Sequence, residues 1–126
     1  MDSTDLLSSK DIIKYNETQV SPQELEAVIR KHESVAEVAV VATELENGNE
    51  LPTAFVVLKE NFPDTATKDI KAHTERAVSA YKRLRGGVHV VSALPKNPLG
   101  KVLYNKLRSL AKKNYQLAQG MKASRL

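Results

Sequence analysis

The chain has 126 residues, 41% apolar and 27% charged, with a net charge of +4 and no cysteine. That size suits one domain with a real core. The missing cysteines exclude disulfides and thiolate metal sites and fit a reducing compartment. No apolar run reaches the length of a membrane span, and the opening stretch MDSTDLLSSK lacks the basic-then-apolar layout of a secretion signal. The charge is unevenly placed. From Lys96 to Leu126 there are eight Lys or Arg and no Asp or Glu, which leaves a net of −4 on the first 95 residues. A basic last quarter suits an anionic partner such as phosphate or nucleotide; the plainer reading is a solvated helix face and tail. Nucleic acid is the least favoured partner, because two Phe, four Tyr and no Trp offer few stacking platforms.

In chain order, SPQELEAVIRKH predicts a first helix. Ser21 caps it, Pro22 takes the first helical position, and Glu24 completes a capping box. Leu25, Val28 and Ile29 form its apolar stripe. VAEVAVVA (35–42) reads as a buried strand. TELENGNELP is a polar loop turning at Asn47-Gly48, and TAFVVLKE is a second buried strand, antiparallel to the first. A second helix is expected after PDT, with Ile70, Thr74, Ala77, Val78 and Tyr81 on one face and a stop at Gly86. GVHVVSAL reads as a third strand with His89 on its outer face. Leu103, Leu107 and Leu110 mark a third helix, and from Asn114 the pattern fades into an expected flexible tail. The fold class is therefore α+β: a small three-stranded sheet, mixed or antiparallel, with helices packed on it and a short hairpin or loop before it. His32, His73 and His89 show no metal-ligand spacing and read as structural or solvated, so no metal site is expected.

LPKNPLGKV (94–102) spends two prolines, a glycine and two lysines on a connector that needs one breaker. Pro95 and Pro98 restrict the loop, and Gly100 lets backbone pass close to a neighbour. Lys101 then precedes a helix, where a cation is unfavourable for the dipole. The stretch reads as a device that holds Lys101 out on a stiff loop.

Taken together, DIIKYNETQVSPQELEAVI, ELPTAFVVL and KRLRGGVHVVSALPKNPLGKVL resemble the small C-terminal domain of the acyl-adenylate-forming enzymes. More narrowly, they resemble the insect acyl-CoA synthetase branch that includes the beetle luciferases. The resemblance covers roughly Lys10 to Arg108. It implies a lid domain at 10–113, a remnant or linker at 1–9, and a tail at 114–126. It further implies a large N-terminal adenylation domain as partner, a small-molecule carboxylic acid (fatty or aryl) as substrate, and use of ATP, Mg²⁺ and coenzyme A, held mainly by that partner. The first half-reaction would form an acyl-adenylate; after the lid rotates, a thiol or a luciferase-like oxidation would complete the second.

Residue by residue, the resemblance makes Lys101 the lysine that reaches the α-phosphate and the substrate carboxylate, with Gly100 beside it. It makes Lys10 the hinge. Leu7-Ser8 stand where most members carry an Asp-Arg pair, a departure from the family pattern. Lys14 matches a lysine of the second half-reaction, with Gln19 beside it; both could equally be polar residues of a surface loop. Glu17 stands where coenzyme A ligases usually carry glycine, which crowds the path of the pantetheine arm. Lys82, Arg85 and Gly86 could meet coenzyme A phosphates or the large domain, or simply end a helix with basic residues and a glycine. The terminal Ser124-Arg125-Leu126 resembles the peroxisomal address read by an import receptor, with a cytoplasmic location otherwise. The other reading is a stand-alone, non-catalytic binding or interaction module that keeps the lid fold.

Overall fold

The computed structural model describes residues 12–15, 18–78 and 83–124, with no side-chain description for Tyr15, Thr18 and residues 120–124. Strands β1 (Ile13–Tyr15) and β2 (Thr18–Val20) form a short antiparallel hairpin. Helix α1 (Pro22–Arg30) follows, then β3 (Val35–Glu44), β4 (Glu50–Leu58), α2 (Ala66–Ala77), β5 (Val88–Val90) and α3 (Tyr104–Ser124). The main sheet has the order β3-β4-β5, with β3 and β4 antiparallel and β4 and β5 parallel. The sheet is therefore mixed, and the α+β class holds.

Both faces of this sheet are covered, which is why its strands read as nearly unbroken apolar runs. On one face Val38, Val40 and Ala42 of β3 and Ala54 and Val56 of β4 meet Leu25 and Ile29 of α1 and Ile70 of α2, with Ile13 and Val20 of the hairpin. On the other face Ala39, Val41 and Phe55 meet Leu94 and Leu107 and Ala111 of α3. Phe55 is fully buried, and its truncation to alanine would cost about 3–5 kcal/mol. Helix α1 begins as expected: the Ser21 Oγ accepts from the Glu24 N–H at 3.4 Å, and a proline opens the first turn.

Four details differ from the sequence reading. Helix α2 stops at Ala77, and Val78 is extended rather than helical. Val78 packs against the first core cluster in that conformation, which a β-branched residue adopts readily; Tyr81 lies outside the described residues. Gly86 is consequently no helix stop. Its N–H donates to the Pro52 carbonyl at 2.9 Å, and a Cβ placed there would lie 1.8 Å from the Thr53 Oγ1. Glycine is needed because this loop lies flat against β4. His89 does not face outward to solvent. It pairs in register with Phe55, stacks on that ring at 5.4 Å, and its Nε2–H donates to the Gly86 carbonyl at 2.9 Å. A strand covered on both faces has no outer side for it. Finally, the third helix does not fade at Asn114 but runs to Ser124. Lys, Gln, Leu and Ala sustain helix without an apolar stripe, and no proline interrupts them.

Candidate functional site

The stretch 95–103 folds as a miniature hairpin. Lys96 and Val102 form an antiparallel bridge, and the Leu103 N–H donates to the Pro95 carbonyl at 2.8 Å. At its tip the Gly100 N–H returns to the Asn97 carbonyl at 2.8 Å and the Asn97 N–H to the Lys101 carbonyl at 2.9 Å. Gly100 adopts φ +88°, the left-handed region that completes such a turn. The Asn97 side chain locks it further: its Oδ1 accepts from both the Leu99 N–H (2.9 Å) and the Lys101 N–H (3.0 Å). Asn and Pro thus fix the backbone on which Lys101 stands, while the Lys101 side chain is exposed. Leu99, 84% exposed, forms the apolar crest of the same turn.

Two anchors hold the legs of this hairpin. Lys96 Nζ lies 2.7 Å from the Glu37 Oε1 on β3, and the Tyr104 hydroxyl donates to the Glu26 Oε2 at 3.1 Å. Neither Glu26 nor Asn97 stood out in the sequence. Asn-Pro-x-Gly, a turn signature, was the available signal for Asn97. Glu26 offered only a carboxylate one position from the apolar stripe of α1.

The β1–β2 hairpin places Lys14 directly opposite Gln19, both exposed, while Ile13 and Val20 of the neighbouring pair are buried. The Lys14 N–H donates to the Glu50 Oε1 at 2.8 Å, tying this hairpin to the start of β4. Glu50 pairs with Glu44, seven residues along β3 from Glu37. At about 3.3 Å per residue, Glu37 lies roughly 23 Å along the sheet from Glu44, whereas the second anchor, Glu26, bonds Val40, four residues from Glu44. The structure thus brings Lys14 to Gln19 and gives these two lysines separate anchors. Arg85 is exposed beside Gly86. Lys10, Glu17, Lys82, Arg125 and Leu126 lie outside the described residues, and Ser124 is the last residue of α3.

Other features do not gather the expected residues. A broad groove between the β3–β4 turn and α3 is lined by Glu44, Glu46, Lys112, Tyr115 and Gln119, among others, and by none of them. His32 and His73 stack edge-on; His32 Nδ1 bonds the nearby Ser34, and His73 Nε2–H donates across to the Val28 carbonyl of α1. Among the described residues no three His, Asp or Glu side chains converge as metal ligands, and no helix is long and apolar enough to cross a membrane.

Known proteins are similar to this chain in sequence and fold. A 4-coumarate–CoA ligase 1 of Glycine max is 40% identical over 100 residues, covering 79% of this chain and 34% of its own. A putative acyl-coenzyme A synthetase of Emericella nidulans is 39% identical over 105 residues, covering 82% of this chain and 19% of its own. Among solved structures, the anthranilate CoA ligase AuaEII in complex with anthranoyl-AMP superposes with a TM-score of 0.75 at 35% identity, over 86% of this chain and 21% of that one. A Mycobacterium tuberculosis fatty acyl CoA synthetase gives 0.73 at 31% identity, over 83% and 20%. The chain therefore spans between about a fifth and a third of these relatives. The family model described as the AMP-binding enzyme C-terminal domain matches residues 24–101, from the capped first turn of α1 to the lysine at the tip of the locked turn. With most of its length matched and its fold shared, the chain belongs to the AMP-binding enzyme C-terminal domain family.

Proposed function

We propose that this chain is the catalytic lid of an AMP-forming acyl- or aryl-CoA ligase, acting on ATP, Mg²⁺ and a carboxylic acid held by a large N-terminal domain. The observation that carries the reading is the exposed Lys101 on a turn whose backbone is fixed by Asn97 and Gly100. Adenylation brings a carboxylate against a triphosphate, and negative charge spreads over the phosphorus oxygens as the bond forms. A preorganised cation stabilises that charge without reorganising at the moment of reaction. A compact ammonium on a stiff turn meets that need, and free backbone would not hold it in place.

Lys14 and Gln19 then serve the second half-reaction. Their hairpin is tied to Glu50 of β4 and the lysine turn to Glu37 and Glu26, so the two stand on separate loops suited to serve one active centre in succession, as a rotation at Lys10 would allow. Thioester formation with coenzyme A is the favoured second step, and a luciferase-like oxidation is the variant that Lys14 also suits. Arg85, with Lys82, would lie toward the coenzyme A phosphates or the partner domain. The Ser124-Arg125-Leu126 ending is proposed as a peroxisomal address. A reporter ending in MKASRL should enter peroxisomes and one lacking Leu126 should not.

The test is single-turnover kinetics on each half-reaction in the full-length enzyme. Lys101→Ala should slow adenylation roughly 10²–10³-fold, leave thioester formation from pre-made acyl-adenylate nearly unchanged, and leave the melting temperature in place. Equal loss in both steps would refute the assignment. The 126-residue chain alone should release no pyrophosphate from ATP and acid.

A further inference from the structure

The stiffness of the lysine turn is internal, so the direction in which Lys101 points depends on how the legs of the hairpin attach to the domain. Leu94, Val102 and Leu107 attach it by apolar packing, which holds position but is non-directional. The Lys96–Glu37 pair is more than a third exposed on each side, and such pairs are weak and screened. A third attachment is of another kind. Glu26 is only 7% exposed, and its Oε2 accepts both the Val40 N–H of β3 at 2.9 Å and the Tyr104 hydroxyl at 3.1 Å. One carboxylate oxygen therefore joins α1, the sheet and the first residue of α3, three positions after Lys101. Hydrogen bonds to a carboxylate are directional and stronger than neutral ones. For bulk stability a well-packed apolar side chain would serve as well or better, so the gain from a carboxylate here is geometric.

We propose that Glu26 is a positioning residue for Lys101, acting through the Tyr104 hydroxyl. The proposal rests on the adenylation role given to Lys101 above. Tyr104→Phe removes one hydroxyl and keeps the ring, so it tests direction with little change in packing.

In the full-length enzyme, Tyr104→Phe should slow adenylation by about 3- to 10-fold, a loss of the order expected from loosening a reacting group by a fraction of an ångström. The KM values for ATP and acid should stay within about twofold, because those ligands bind the other domain, and thioester formation from pre-made acyl-adenylate should stay within the same margin. The double variant Tyr104→Phe/Lys101→Ala should be no slower than Lys101→Ala alone, because the hydroxyl acts only through the lysine. Glu26→Ala should show the same selectivity with a larger loss; if it does not fold, Tyr104→Phe decides. Slowing of both half-reactions, no slowing of adenylation, or additive losses in the double variant would overturn the proposal while leaving the Lys101 assignment standing. If Lys101→Ala itself leaves adenylation unchanged, both fall together.

Discussion

The molecule builds the same turn twice. At residues 45–49 the Gly48 N–H returns to the Leu45 carbonyl and the Leu45 N–H bonds the Asn49 carbonyl; at 97–101 Gly100, Asn97 and Lys101 repeat the pattern. The glycines match, with φ +90° and +88°. The side chains do not. The first turn carries Leu-Glu-Asn-Gly-Asn and joins two strands of the sheet; the second carries Asn-Pro-Leu-Gly-Lys and joins nothing longer than a single bridge. In the first, long strands hold the turn in place. In the second, the turn must hold itself, and the Asn97 side chain supplies two bonds to do so. A shared backbone thus separates what a turn needs for folding from what this one adds for chemistry.

The largest expected effect comes from making the second turn like the first. Asn97→Leu, Pro98→Glu, Leu99→Asn and Lys101→Asn together keep Gly100 and should leave the domain folded while adenylation falls roughly 10²–10³-fold. Restoring Lys101 in that background should recover only part of the rate, and full recovery would mean that the turn's stiffness is irrelevant. Asn97→Ala should slow adenylation about tenfold and cost about 1 kcal/mol in denaturant melts. In the first turn Asn47→Ala, which removes the acceptor for the Asn49 N–H, should cost about as much stability and no rate. The smallest and sharpest comparison is between the glycines. An added Cβ meets nothing within 4 Å at either position, so Gly48→Ala and Gly100→Ala should each cost only the left-handed strain, about 1–2 kcal/mol. Only Gly100→Ala should slow adenylation. A slowing by Gly48→Ala of the same size would erase the distinction between the turns.

What could be read from the residues follows the range of the interactions involved. Ser21 and Pro22 announce α1 because a cap is decided within one turn of chain. The apolar runs of β3 and β4 announce burial on both faces, and the prolines and glycine around Lys101 announce a special loop. The end of α2 at Ala77 was not legible, because no residue there forbids helix and the packing of Val78 decides the matter. Gly86 reads as a helix stop from its neighbours alone, whereas its crowding by Thr53 involves a strand more than thirty residues earlier in the chain. Glu26 was hidden for the same reason. Its partners Val40 and Tyr104 lie 14 and 78 residues away, and nothing nearby in the sequence marks a carboxylate that will be buried. At the site, the lysine was legible and its anchors were not.

The bond from Val40 to Glu26 has a consequence for how copies of this chain behave toward one another. Strand β3 borders the sheet and spans ten residues, long and apolar enough to template pairing with a foreign strand. The Val40 N–H is a donor that such a strand would have to capture, and Glu26 already occupies it. The side chain proposed to orient the lysine turn therefore also occupies part of the open edge of the sheet, and does so only while α1 is docked.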